Sequence, residues 1–106
     1  IIPAVNSVRE YLSAMGKTLK IEVETRDLNE VQEALIAGVD RIMLDNFTTK
    51  ETRTAVALID HRAETESSGG ITKDTLVSYA ECGVDYISVG ALTHQIKSLD
   101  MSLKAL

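Results

Sequence analysis

The sequence predicts an α/β protein built from four βα repeats, and three observations predict it. Strand-like segments begin at residues 20, 41, 63 and 85, a step of about 22 residues each time. The stretches between them carry apolar residues at helical spacing. Two units also match at a constant offset of 45 residues, Ala37-Gly38-Val39-Asp40-Arg41-Ile42-Met43-Leu44-Asp45 against Cys82-Gly83-Val84-Asp85-Tyr86-Ile87-Ser88-Val89-Gly90. Short βα units in steady alternation imply a parallel sheet, because each helix returns the chain right-handed to the next strand. So short a repeat suits a barrel, yet four strands cannot close one that needs eight. The expected architecture is about half of a TIM-like parallel α/β barrel, with a flavodoxin-like open sheet as the alternative.

The elements follow in order. A first helix runs from Pro3 to Met15, with Val5, Val8, Leu12 and Met15 on one face and Pro3 in the first turn, where it is tolerated. The first strand spans Lys20–Thr25. Asp27-Leu28-Asn29-Glu30 then opens a helix with an N-cap and a glutamate three residues later, and Leu28, Val31 and Leu35 supply its apolar face. After the strand Arg41–Asp45, Thr48-Thr49-Lys50-Glu51 repeats that signal ahead of a helix through Val56 and Ile59. A strand at Ala63–Ser68, a helix carrying Leu76, Tyr79 and Ala80, and a strand at Asp85–Val89 complete the pattern. Gly16, Gly38 and Gly83 stand where helices stop with a left-handed residue.

The 106 residues amount to one small domain at most. A composition 44% hydrophobic and 25% charged excludes disorder, collagen-like repeats and disulfide-rich scaffolds. The net charge of −5 speaks against nucleic acid or acidic membrane surfaces as partners, and no apolar run is long enough to span a bilayer. Cys82 has no second cysteine to pair with, so a reducing cytoplasm is expected. The chain opens at Ile1-Ile2-Pro3 and enters helical periodicity at once, which reads as a piece of something longer. A half-barrel exposes two parallel edge strands and an open lumen, so the chain alone is expected to dimerise, aggregate or be poorly stable.

Strand parity then picks out candidate chemistry. Ile21, Val23, Ile42, Leu44, Ile87 and Val89 share the face expected against the helices. The lumen receives Glu22, Glu24, Asp45, Glu64, Glu66 and Ser88, where such barrels normally place Val, Ile and Leu. Unpaired buried carboxylates are costly, so these must meet cations, a metal or a hydroxylated ligand. Glu22 and Glu64 lie near strand starts and can simply pair with a base or reach water. Glu24, Asp45 and Glu66 fall at successive C-terminal strand ends, the rim where such barrels keep their active sites.

Two further loops carry glycine. Ser67-Ser68-Gly69-Gly70-Ile71-Thr72 and Val89-Gly90-Ala91-Leu92-Thr93-His94 each read as a strand leading into a helix. Glycine lets backbone N–H groups approach an anion, and a helix N-terminus favours one, so the pair is expected to hold phosphate rather than make ordinary tight turns. Carboxylates beside a phosphate nest suit a sugar phosphate. Among the remaining residues, Cys82 reads as a buried thiol, His61 as a solvated partner of a helix C-terminus, and Tyr11 and Tyr79 as packing. His94 reads as a core or capping residue or a phosphate neighbour.

At these residues the sequence resembles the quinolinate phosphoribosyltransferases, also called nicotinate-nucleotide pyrophosphorylases (carboxylating). The resemblance rests on Ile21-Glu22-Val23-Glu24, Ile42-Met43-Leu44-Asp45-Asn46-Phe47, Glu66-Ser67-Ser68-Gly69-Gly70-Ile71 and Gly83 through His94, and continues through Leu99 to Lys104. It implies phosphoribosyl transfer from phosphoribosyl pyrophosphate to quinolinate with decarboxylation, giving nicotinate mononucleotide in NAD synthesis, with Mg2+ as cofactor and a dimer or higher homo-oligomer. It further implies that Glu24 and Asp45 contact the ribose and its associated metal, and that Ser68, Gly69, Gly70, Gly90, Ala91 and Leu92 hold phosphate with His94 beside them. On this likeness residues 1–106 are the C-terminal portion of the barrel domain, without the family's N-terminal sandwich, its first barrel strands or the basic cluster that grips quinolinate. Two alternatives stay open: a related phosphoribosyltransferase-like protein associated with molybdate transport, and a non-catalytic half-barrel that only binds phosphate.

Overall fold

The computed structural model of the protein describes residues 1–89 together with the backbone of residues 94–97. The elements are α1 (Ile2–Ala14), β1 (Glu22–Thr25), α2 (Leu28–Ala37), β2 (Arg41–Asp45), α3 (Thr49–Ile59), β3 (Glu64–Ser68), α4 (Lys73–Ala80), β4 (Tyr86–Val89) and β5 (His94–Lys97). The first four strands are parallel in sequential order, and β5 pairs antiparallel with β4. Sequential order has no switch point, so right-handed crossovers all fall on one side of the sheet. That sets aside the flavodoxin-like alternative and leaves the half-barrel arrangement.

Helix boundaries come from local chemistry. Asp27 Oδ1 accepts the Glu30 N–H at 2.8 Å to start α2. Thr48 and Glu51 bond each other reciprocally at 3.1 and 2.9 Å to start α3. Gly38, at φ +69°, closes α2, and Arg9 Nη2 donates to its carbonyl at 2.6 Å, which seats α1 on α2.

The repeated Gly-Val-Asp acquires a physical reason. Val39 and Val84 are buried, and the aspartate after each ties neighbouring strands at their starts. Asp40 Oδ2 accepts the Ile21 N–H at 2.7 Å; Asp85 Oδ2 accepts the Thr65 N–H at 2.9 Å. The core lies between the helices and one sheet face, where Ile42, Leu44 and Ile87 meet Val31, Ala55 and Ile59. Glu22, Glu24, Met43, Asp45, Glu64, Glu66 and Ser88 occupy the opposite face, as parity required.

Three expectations are corrected. Of the predicted α1 stripe only Val5 is buried; Val8, Met15 and Tyr11 are exposed, Tyr11 by 65%, because α1 rests on α2 through its Val5–Arg9 side. The segment after Val89, expected to enter a helix, instead forms β5, which satisfies backbone groups along the edge of β4. The sheet still ends in two edge strands among the described residues, β1 and β5, but the second is the antiparallel β5 in place of the parallel β4 expected. Gly90, Ala91, Leu92 and the stretch 98–106 lie outside the described residues.

Candidate functional site

The strand register stacks the open face in rows. Glu22 is level with Arg41 and Arg41 with Glu64; one pleat further along, Glu24 is level with Met43, Met43 with Glu66, and Glu66 with Tyr86. At the C-terminal rim Asp45 stands level with Ser68.

Arg41 organises the lower rows. Its guanidinium lies 3.4 Å from Glu64, 3.6 Å from Glu66 and 4.0 Å from the centre of the Tyr86 ring. Lys20 reaches Glu64 at 3.5 Å, and Ser88 Oγ donates to Glu66 Oε2 at 2.7 Å. Glu66 is only 3% exposed, so this pairing is what makes its burial tolerable. Burial pushes Glu64 up, but Lys20 and Arg41 outweigh it and hold its carboxyl below the usual value. Glu22 goes the other way, pushed up to about 7 by burial, then by a hydrogen bond to Glu66 and that residue's charge, with Arg41 opposing. The sequence signal for this role of Arg41 is its parity with Met43 and Asp45 in β2.

At the rim, Asp45 is half-buried and its Oδ1 accepts from Ser68 Oγ at 3.5 Å, while Glu24 is exposed one strand across. Ser68 leads into Gly69 and Gly70, both left-handed at φ +89° and +69°, and α4 begins just beyond. A side chain on Gly70 would meet nothing within 4 Å, so its backbone faces open space. The structure thus brings Asp45, Ser68, Gly69 and Gly70 together and sets Glu24 beside them. The backbone of His94 opens β5 opposite Val89.

Other groups serve the fold. A cleft of about 470 Å3 lies at the opposite, N-terminal end of the strands, lined by Lys20, Asp40, His61, Arg62 and Glu64. Arg62 there is occupied by the Leu58 and Ile59 carbonyls at the end of α3, and His61 is exposed, as expected. Burial, the largest influence, pushes the Cys82 thiol up, and its Sγ lies 3.3 and 3.4 Å from the Ser78 and Thr49 carbonyls, which share its one S–H, an environment that disfavours the thiolate. Tyr79 does more than pack: its hydroxyl donates to the Phe47 carbonyl at 2.7 Å. No group of three or more His, Cys, Asp or Glu among the described residues stands ready to hold a metal.

The family profile described as quinolinate phosphoribosyl transferase, C-terminal domain, matches residues 1–104. The chain belongs to this family. It is 43% identical over 97% of its length to the probable nicotinate-nucleotide pyrophosphorylase (carboxylating) of Methanocaldococcus jannaschii, and 44% identical over 98% to the chloroplastic enzyme of that name from Arabidopsis thaliana. Of those relatives it spans 39% and 34% of the length. Among solved structures, the nicotinate-nucleotide pyrophosphorylase of Francisella tularensis superposes on 92% of the chain with a TM-score of 0.79 at 36% identity, matching 34% of that chain. The enzyme of that name from Ehrlichia chaffeensis gives a TM-score of 0.80 at 33% identity, again over 92% of this chain and 35% of its own.

Proposed function

We propose that this chain is the ribose- and phosphate-binding portion of a quinolinate phosphoribosyltransferase, transferring phosphoribose from phosphoribosyl pyrophosphate to quinolinate with loss of carbon dioxide. The product would be nicotinate mononucleotide, for NAD synthesis. The single observation that carries this reading is the meeting of Asp45 and Ser68 at the strand ends, next to two left-handed glycines that precede a helix.

In this reading Glu24 and Asp45 accept hydrogen bonds from the ribose hydroxyls and stabilise positive charge as the glycosidic bond breaks. The backbone of Ser68, Gly69 and Gly70 takes phosphate, together with Gly90, Ala91 and Leu92 and with His94 alongside. Two hard carboxylate donors without a third ligand suit a hydrated magnesium ion shared with the substrate's phosphates, not an all-protein cage. When bound, that ion would offset charge on the departing pyrophosphate. The residues for the quinolinate carboxylates are assigned to the part of such an enzyme that this chain does not span. A homo-oligomer in the cytoplasm is the proposed setting, consistent with the free, buried Cys82. No helix among the described residues is long and apolar enough to cross a membrane.

Titration of phosphoribosyl pyrophosphate with magnesium into an assembly containing this chain, followed by amide NMR of the residues of this chain, tests the reading. Shifts are expected at residues 24, 45 and 68–70. Shifts confined to the opposite cleft around Asp40 and Arg62, or none at all, would refute it.

A further inference from the structure

The loop after β2 is fastened to the loop after β3 at one residue that the chemistry above does not use. Asn46 sits at φ +59°, a backbone conformation asparagine tolerates better than most side chains. Its N–H donates to the Ser68 carbonyl at 2.9 Å. Its side chain lies directly under Gly69: a Cβ there would stand 2.5 Å from Asn46 Oδ1 and 2.8 Å from its Cγ. The next residue, Phe47, is buried, and its carbonyl takes the Tyr79 hydroxyl of α4. Since α4 follows the Gly69-Gly70 turn, the contacts close a ring: β2 loop to β3 loop, β3 loop to α4, α4 back to the β2 loop.

We propose that Asn46 is a positioning residue that sets the direction of the Gly69-Gly70 turn and holds it in register with Asp45, so that ribose and phosphate are gripped at one fixed separation. This rests on the function proposed above. Asparagine does two jobs here. Its left-handed backbone aims the N–H at Ser68, and its short planar side chain fills the space beneath Gly69 without lifting the turn. Glycine at position 46 would keep the first property and lose the second. Aspartate would keep both.

The test uses an assembly containing this chain, as wild type and as three variants, Asn46→Gly, Asn46→Asp and Gly69→Ala, with two readouts. Backbone NMR relaxation without ligand should show the Gly69 and Gly70 amides losing order in Asn46→Gly and regaining it in Asn46→Asp, with melting little changed in either. Calorimetric titration with phosphoribosyl pyrophosphate and magnesium should show about 10-fold weaker binding for Asn46→Gly. Gly69→Ala probes the same contact from the other side and should weaken binding at least as much. Unchanged order at Gly69 and Gly70 in Asn46→Gly overturns the inference, whatever binds. So does undiminished affinity in both Asn46→Gly and Gly69→Ala. A wild-type assembly that binds no phosphoribosyl pyrophosphate overturns the proposed function instead, and the relaxation result then decides the role of Asn46 by itself.

Discussion

Replacing Arg41 with Met should cost this chain roughly 3 kcal/mol of stability, and replacing Glu66 with Leu at the same time should recover most of it. Removing one partner of a buried ion pair costs about 3–5 kcal/mol, because the other charge is left stranded. Here the Arg41–Glu66 approach is 3.6 Å, and Arg41 keeps 19% of its side-chain exposure while Glu66 keeps 3%, which places that loss lower, about 2–2.5 kcal/mol. The half-open Glu64 contact contributes little, and the stacking on Tyr86 adds about 0.5–1 kcal/mol. For a domain of this size each kcal/mol moves the melting temperature by about 4–8 °C, so Arg41→Met should melt roughly 12–24 °C lower. Glu66→Leu removes the stranded charge, and an apolar pair in place of a buried ion pair is often neutral or better. Urea unfolding of wild type, both single variants and the double variant closes the cycle. If Arg41→Met costs under about 1 kcal/mol, or the double variant costs at least the sum of the singles, Arg41 does not neutralise Glu66 and the account of the open face is wrong.

Three other outcomes are expected. Glu22 holds its proton up to about pH 7 when folded and releases it near its ordinary 4.5 when unfolded, so its contribution is complete below about pH 4.5 and lost as pH rises through about 7. Urea midpoints should therefore fall between pH 5.5 and 8 in wild type and stay flatter in Glu22→Gln; equal slopes would count against the Glu22–Glu66 contact. In an active assembly containing this chain, Glu24→Gln and Asp45→Asn should each lower turnover by about 10- to 1,000-fold, or roughly 1.4–4 kcal/mol, with Glu22→Gln affecting turnover less. If Glu22→Gln costs more turnover than both, the rim has been placed one pleat too high. Ser67 Oγ is buried facing the helices without a hydrogen-bond partner among the described residues, so Ser67→Ala should be neutral or stabilising by up to about 1 kcal/mol in thermal melts.

Much of this protein is written at short range and was legible as such. Apolar spacing, capping pairs such as Thr48 with Glu51, and the repeated Gly-Val-Asp depend on neighbours within a few residues, so the four parallel strands and the helices that precede them follow from sequence nearly to the residue. Parity along each strand likewise sends Glu24, Asp45 and Glu66 to one face, because a strand has only two faces. What lay beyond sequence involves residues about twenty or more positions apart. The reach of Arg41 to Glu66 and Tyr86, and the Tyr79 bond to Phe47, depend on where packing places neighbouring units, which periodicity does not encode. The stretch after Val89 differs in range but not in kind: His94–Lys97 lies near its partners in sequence, yet takes its conformation from the unpaired edge of β4, which exists only once the sheet has formed. Asn46 under Gly69 belongs to this second group, since its left-handed backbone is a local preference but its contact is set by the parallel alignment of β2 with β3.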